Sequence, residues 1–230
     1  MKIFIYLIQF FIISLFLVLF KILGYRMASN FGGFIGSFFG QMFRSKKLIE
    51  NNIRKSLPKI SENEMEKIIK TMWSNYGRIL SDYVFIKNFR QSKLEKYLEV
   101  EGKEIFEEIK KSGEPVVFIS GHFNNFELMA MEIEKSGVSV AAIYRPLNNI
   151  FLNKIMESIR KKYICKHQIK KGISGIREIL QFCKKGFSIA LMIDQRVSEG
   201  IKSDLFGQPA LTTTIPAQLV KKFGYKIVPI

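Results

Sequence analysis

Apolar positions follow two rhythms along this chain. From Ile3 to Phe20 they run almost without a break, interrupted only by Tyr6, Gln9 and Ser14 and bounded by Lys2 and Lys21. With Ile22 and Leu23 the run is long enough to cross about 30 Å of hydrocarbon. A secretory signal is the rival reading. The residues that follow, Phe20-Lys-Ile-Leu-Gly-Tyr-Arg26, hold no small-x-small cleavage pattern, so a retained anchor is expected. Met27 to Phe43 carries no charge, and Gly32, Gly36 and Gly40 recur every fourth residue beside Phe31, Phe34, Phe38 and Phe39. On a helix that spacing makes a flat face for close packing. Two readings stand for this segment: an interfacial or membrane-dipping helix, or a connector weakened by glycine. Lys46–Leu57 predicts a short basic helix ended by Pro58. Ser61-Glu-Asn-Glu64 is a capping-box pattern opening a helix to about Phe85. Met65, Ile69, Met72, Trp73, Tyr76 and Leu80 lie on its apolar stripe, where Trp73 reads as core.

From Tyr97 the period changes. Short strand signals fall at Leu98–Val100, Val116–Ile119, Val138–Ile143, Gln168–Lys170, Phe187–Ile193 and Lys226–Val228. Helical signals lie between them at Lys103–Lys111, Phe126–Lys135, Asn149–Lys162, Ile176–Lys184 and Pro216–Phe223. The alternation predicts an α/β fold: a largely parallel central sheet flanked by helices, preceded by a transmembrane helix and a helical leader. The expected boundaries are an anchor at 1–25, a leader at 26–95 and an α/β domain at 96–230. Lys226–Ile230 reads as a strand just beginning, so further C-terminal elements are expected beyond it.

Charge sharpens the picture. The 230 residues carry a formal net charge of +16, which favours anionic partners. Residues 145–185 hold eleven Lys/Arg against Glu157 and Glu178. Arg26, Arg44, Lys46 and Lys47 follow the apolar span and only Lys2 precedes it, so the positive-inside rule puts the body on the cytoplasmic side of a single-pass anchor. Cys165 and Cys183 read as reduced thiols, and two histidines, His122 and His167, do not build a zinc site. There is no Walker A loop, no dinucleotide fingerprint, no Gly-x-Ser-x-Gly elbow and no nucleic-acid motif. No metal is expected, nor any nucleic-acid partner.

The densest chemistry lies between Val116 and Pro146. An apolar strand signal breaks at Ser120-Gly121, His122 follows, Asn124 is placed to cap the next helix, and Glu127 falls in its first turn. Arg145 ends the next strand signal. Open α/β sheets bind ligands at these carboxyl ends. Five residues on a helix separate side chains by about 140°, so His122 meets Glu127 only if it stands in the turn before the helix. A carboxylate there fixes the imidazole's tautomer and raises its basicity, letting it take a proton from an alcohol that attacks an activated acyl group. The alternative is structural: Asn124 and Glu127 form an Asn-x-x-Glu capping pair and His122 is a polar loop residue. Asp194, at another predicted strand end, reads as site support or as a turn former.

Gly121-His-Phe-Asn-Asn-Phe-Glu127 resembles the Gly-His-x-Gly-Asn-Trp-Glu block of the bacterial lipid A late acyltransferases, the lauroyl/myristoyl branch of the His-x4-Asp/Glu membrane acyltransferases. Tyr144-Arg-Pro-Leu-Asn-Asn149 resembles a second block. Leu191-Met-Ile-Asp-Gln195, with Leu205–Ala210 and Thr212-Thr213, resembles a third. Asn124 and Phe126 stand where that family usually has Gly and Trp. The resemblance implies acyl transfer from acyl carrier protein to a hydroxyl of a Kdo-bearing lipid A precursor, in lipopolysaccharide synthesis at the bacterial inner membrane. Acyl carrier protein thioester would be the co-substrate, with no cofactor. It implies His122 as general base oriented by Glu127, and Arg145, Asn125, Asp194 and Gln195 as substrate contacts. Arg145 would hold a phosphopantetheine or lipid phosphate. Two other functions fit the residues: acyl transfer to a glycerophospholipid or mannosylated lipid, and a membrane-tethered binder of anionic lipid or nucleic acid.

Overall fold

The computed structural model describes residues 1–198 and 200–230. The chain divides into two compact units. One comprises Ile8–Phe85 with Asp204–Pro209; the other comprises Met1–Leu7, Ile86–Ser203 and Ala210–Ile230.

The first unit is helical. The apolar run forms α1 (Lys2–Leu23), a helix long and apolar enough to cross a membrane. Gly24, with φ +75°, turns the chain into α2 (Tyr25–Phe39), which tightens into a 3-10 turn at Gly40–Phe43. The basic segment is α3 (Lys46–Ser56). In α4 (Glu62–Asp82) the capping box forms as expected: the Ser61 hydroxyl accepts from the Glu64 amide, and the Glu64 carboxylate accepts from the Ser61 amide. The glycines of α2 have a packing cause. A Cβ on Gly36 would overlap the Trp73 carbonyl oxygen, and one on Gly77 would overlap the Gly32 carbonyl oxygen, so the backbones of α2 and α4 touch where glycine faces glycine.

The second unit is α/β. After α5 (Ile86–Gln91) and α6 (Lys103–Ser112) come β1 (Val116–Ser120), α7 (Glu127–Lys135), β2 (Val140–Tyr144) and α8 (Ile150–Ile159). A π turn at Arg160–Ile164 leads to β3 (His167–Lys170), α9 (Ile173–Lys184) and β4 (Ser188–Met192). After the hairpin of β5 (Ile201–Leu205) and β6 (Gln208–Thr212) come α10 (Ile215–Phe223) and β7 (Lys226–Pro229). The central strands lie all parallel in the order β3-β2-β4-β1-β7. β1, β2 and β4, buried on both faces, are written as apolar runs rather than alternations, while the edge strands β3 and β7 are partly exposed. Val117, Ala141, Ile169, Ile189 and Leu191 meet Ile179, Cys183 and Leu219 in one core.

Three details depart from the sequence-based expectation. Leu98–Val100 is irregular, lying between a 3-10 turn and the Gly102 cap of α6. The helix expected to Lys162 gives way to the π turn at Arg160. The β5–β6 hairpin had no apolar alternation to announce it: every residue of β5 is exposed, and the turn at Phe206-Gly207 has positive φ at both positions.

Candidate active site

Parallel pairing of β1 with β4 sets the site. Their register places Ser120 opposite Met192, and Ile193 extends the ladder by donating to the Ser120 carbonyl. Two residues past the end of each strand stand His122 and Asp194. Equal offsets from a shared register bring them together, although 72 residues separate them. His122 Nδ1 lies 2.7 Å from Asp194 Oδ1, and the His122 backbone N–H donates to Asp194 Oδ2 at 2.8 Å. Gly121 leaves room for this, since a Cβ there would press on the Phe123 ring and on Asp194 Oδ2.

The carboxylate on the His122 ring is therefore Asp194, not Glu127. The reason is local geometry. Asn124 adopts φ +41° and does not cap the following helix; the chain turns through Asn124 and Asn125, and α7 opens at Glu127 behind a Phe126 N-cap. Glu127 is then buried against the π turn, where the Arg160 guanidinium grips it: Nε donates to both carboxylate oxygens at 3.0 and 3.2 Å, and Nη2 adds a further short contact. The Arg160 guanidinium carbon also lies 5.3 Å from the centre of the Tyr144 ring.

Around the ring of His122, Phe126 packs edge-on at 4.6 Å between centroids. The Gln195 side-chain nitrogen sits 3.3 Å from Nε2. The His122 side chain is 25% exposed and Asp194 40%, so the pair faces open space. Burial pushes the Asp194 carboxyl up, but the amide and ring of His122 outweigh it and hold it below the ordinary carboxylate value. An ionised carboxylate on Nδ1 keeps the neutral ring's proton there and leaves the Nε2 lone pair outward, where the Gln195 amide donates to it. That is the arrangement of a general base with an orienting acid.

Arg145 is exposed just past the end of β2. β2 lies two strands from β1, so Arg145 is displaced from the His122 strand by two strand spacings, about 10 Å. Asn125 is half-buried in the turn between His122 and α7. Asp194 and Gln195 thus meet His122 directly, and Arg145 flanks it on the same sheet edge. His167 belongs elsewhere: its ring packs on Phe182 and Phe187, and burial holds its pKa below the usual value.

Behind the site lies a polar cluster that sequence reasoning missed. Tyr144 Oη donates to Glu157, which also accepts from Asn153 at 2.8 Å and pairs with Lys170 at 3.0 Å. The Tyr144 bond, with Lys170 and Asn153, holds the Glu157 carboxyl down to about 2 against the opposing effect of burial. Arg90 braces the π turn, donating to the Tyr163 and Ile164 carbonyls and pairing with Glu134 at 2.6 Å. Arg160 gave no local signal because it is one of eleven basic residues in its tract. Asp194 did give one: like His122, it stands close behind a strand signal, directly after Phe187–Ile193.

Comparison with known proteins adds an independent result. The family model for bacterial lipid A biosynthesis acyltransferases matches residues 1–230. The lipid A biosynthesis myristoyltransferase of Escherichia coli strain K12 is 23% identical over 206 residues, covering 88% of this chain and 62% of that protein. The lipid A biosynthesis acyltransferase 1 of Shigella flexneri matches with the same identity and coverage. The Shigella flexneri lipid A biosynthesis acyltransferase 2 is 23% identical over 154 residues, covering 66% of this chain and 48% of that protein. The chain thus spans less than two thirds of the length of these curated relatives.

Proposed function

This chain belongs to the bacterial lipid A biosynthesis acyltransferase family, and on that premise we propose that it transfers a fatty acyl chain from acyl carrier protein to a hydroxyl of a Kdo-bearing lipid A precursor. The single observation that carries the mechanism is the His122–Asp194 pair, 2.7 Å apart at the carboxyl edge of the parallel sheet. His122 Nε2 takes the proton of the acceptor hydroxyl as its oxygen attacks the thioester carbonyl carbon. Asp194 stabilises the imidazolium so formed. Collapse of the tetrahedral adduct breaks the C–S bond, and the imidazolium returns its proton to the departing thiolate. The ester and the free carrier thiol are the products, and no proton is left over.

Gln195 occupies Nε2 in the resting site and gives way to the acceptor hydroxyl. Arg145 holds an anionic group of donor or acceptor about 10 Å from the reacting atoms. Arg160 and Tyr144 keep Glu127 fixed behind the loop, so Glu127 supports the wall of the site. The apolar α1 anchors the chain in the inner membrane, with the basic residues after it on the cytoplasmic side.

The test is acyl transfer by membranes containing the full chain, supplied with acyl carrier protein thioester and Kdo-bearing lipid A precursor and read by mass spectrometry. Wild type should add one acyl chain and His122→Ala should not. Equal transfer by both refutes the mechanism. Acylation of lysophosphatidate but not of the lipid A precursor refutes the acceptor.

A further inference from the structure

α2 has two unlike faces. Gly32, Gly33, Gly36 and Gly40 pack against Gly77, Trp73, Ser74 and Arg78 of α4. The opposite face carries Phe34 and Phe38, Phe39 flanks it beside the glycines, and the 3-10 turn adds Met42 and Phe43. Phe38 is 70% exposed, Met42 81% and Phe43 80%. Phe34 and Phe38 stack with centroids 6.3 Å apart, and Phe38 meets Phe39 edge-on at 5.0 Å, so the rings form one continuous apolar surface. Arg44, Lys46 and Lys47 follow at once and are exposed, Lys46 reaching Glu50 at 3.6 Å. A patch this large on a soluble surface marks a contact with something apolar.

We propose that this face is a second membrane contact: α2 lies along the surface of an anionic bilayer, its phenylalanines in the acyl boundary and Arg44, Lys46 and Lys47 on lipid phosphates. The inference rests on the reading of α1 as a membrane anchor. Three observations favour lipid over a protein partner. Only Gly24 separates α2 from α1, whose Phe11, Leu15, Val18 and Ile22 are likewise exposed. The Phe20 and Phe31 rings join the two helices at 6.3 Å, so one apolar surface continues into the next. The order along the chain, aromatic residues then cations, is that of a bilayer interface. With 15 residues α2 is about 22 Å long, too short to cross the hydrocarbon but long enough to lie along it. The glycine face then has a second purpose, since it holds α2 flat against α4 with its aromatic face outward.

The experiment uses the full chain in vesicles of phosphatidylcholine and phosphatidylglycerol. An environment-sensitive fluorophore is attached to Phe38→Cys, or to Asn63→Cys in the exposed first turn of α4, and lipids brominated on the acyl chain serve as quenchers. The native thiols, Cys165 and Cys183, are buried. The label at 38 should emit at shorter wavelength and be quenched; the label at 63 should do neither. Replacing Arg44, Lys46 and Lys47 together by Gln should lower the quenching at 38, each cation near an anionic leaflet being worth about fivefold in the insertion equilibrium. If the protein floats with the vesicles yet label 38 is quenched no more than label 63, this inference falls and the anchor reading survives. A blue shift at 38 without quenching assigns the face to protein and also overturns it. Quenching unchanged in the Gln variant overturns the anionic-lipid part. Failure of the full chain to float with vesicles removes the anchor and this contact together.

Discussion

Replacing Asp194 by Asn isolates the contact on which the mechanism turns. The carboxylate makes two bonds at once, Oδ2 to the His122 amide and Oδ1 to its ring Nδ1. A carboxamide has one oxygen and one NH2 group, so it cannot reproduce both. If its oxygen serves the amide, its NH2 faces Nδ1; the ring proton moves to Nε2, and the lone pair that should receive the hydroxyl proton is gone. If it is turned over, two donors face each other at the His122 amide, at a cost of about 1–3 kcal/mol. Either way the base is disabled. Well-placed proton transfer is worth about 10²–10⁴-fold, or about 3–5.5 kcal/mol of barrier, and that is the expected loss in single-turnover acyl transfer. Because Asp194 touches the ring rather than the proposed substrate, KM should hold while kcat falls. The assay mixes enzyme in excess with acyl carrier protein thioester and glycolipid acceptor, and a thermal melt in detergent checks folding. A folded Asp194→Asn enzyme within about threefold of the wild-type rate refutes the assignment, since orientation by that carboxylate would then be worth almost nothing.

Arg160→Ala strands the buried Glu127 carboxylate and should cost about 3–5 kcal/mol, whereas replacing both partners by apolar residues of similar volume should cost far less; denaturant unfolding of the two variants checks this. Gly77→Ala forces a Cβ onto the Gly32 carbonyl oxygen. Overpacking of about 1–3 kcal/mol outweighs a helix-propensity gain of about 1 kcal/mol, so the variant should melt earlier, read from the single Trp73. Glu157 titrates at about 2 when folded, against an ordinary value of 4.5. Its contribution to stability is fully present above 4.5 and is lost as pH falls from there toward 2. The stability gap between wild type and Glu157→Gln should therefore close across that window in acid-denaturation curves.

Much of the fold was legible because its elements are written locally. Parallel strands buried on two faces appear as apolar runs, which is how Val116–Ser120 and Ser188–Met192 announced themselves. The Ser61–Glu64 box and the fourfold glycine spacing of α2 are likewise statements about neighbours in sequence. Strand order is not. Nothing within β1 or β4 says that they lie side by side, so Glu127, five residues from His122, looked like the nearest carboxylate while Asp194 was nearest in space. The left-handed Asn124 decided the matter, turning the chain so that Glu127 enters its helix facing Arg160. Arg160 was hidden for a similar reason: its partner Glu127 lies 33 residues away in sequence, and nothing local distinguishes it from the other basic residues of its tract.

The division of the proposed catalytic pair between two strands has a consequence for the protein's synthesis. As the ribosome extrudes the chain, the imidazole emerges long before its aspartate, and the two meet only after β2, β3 and three helices have been made and β4 has slotted in beside β1. A nascent or proteolytically clipped polypeptide that holds the first half alone thus has a histidine without its partner and, on the proposed mechanism, is unable to spend thioesters while adrift from its finished sheet.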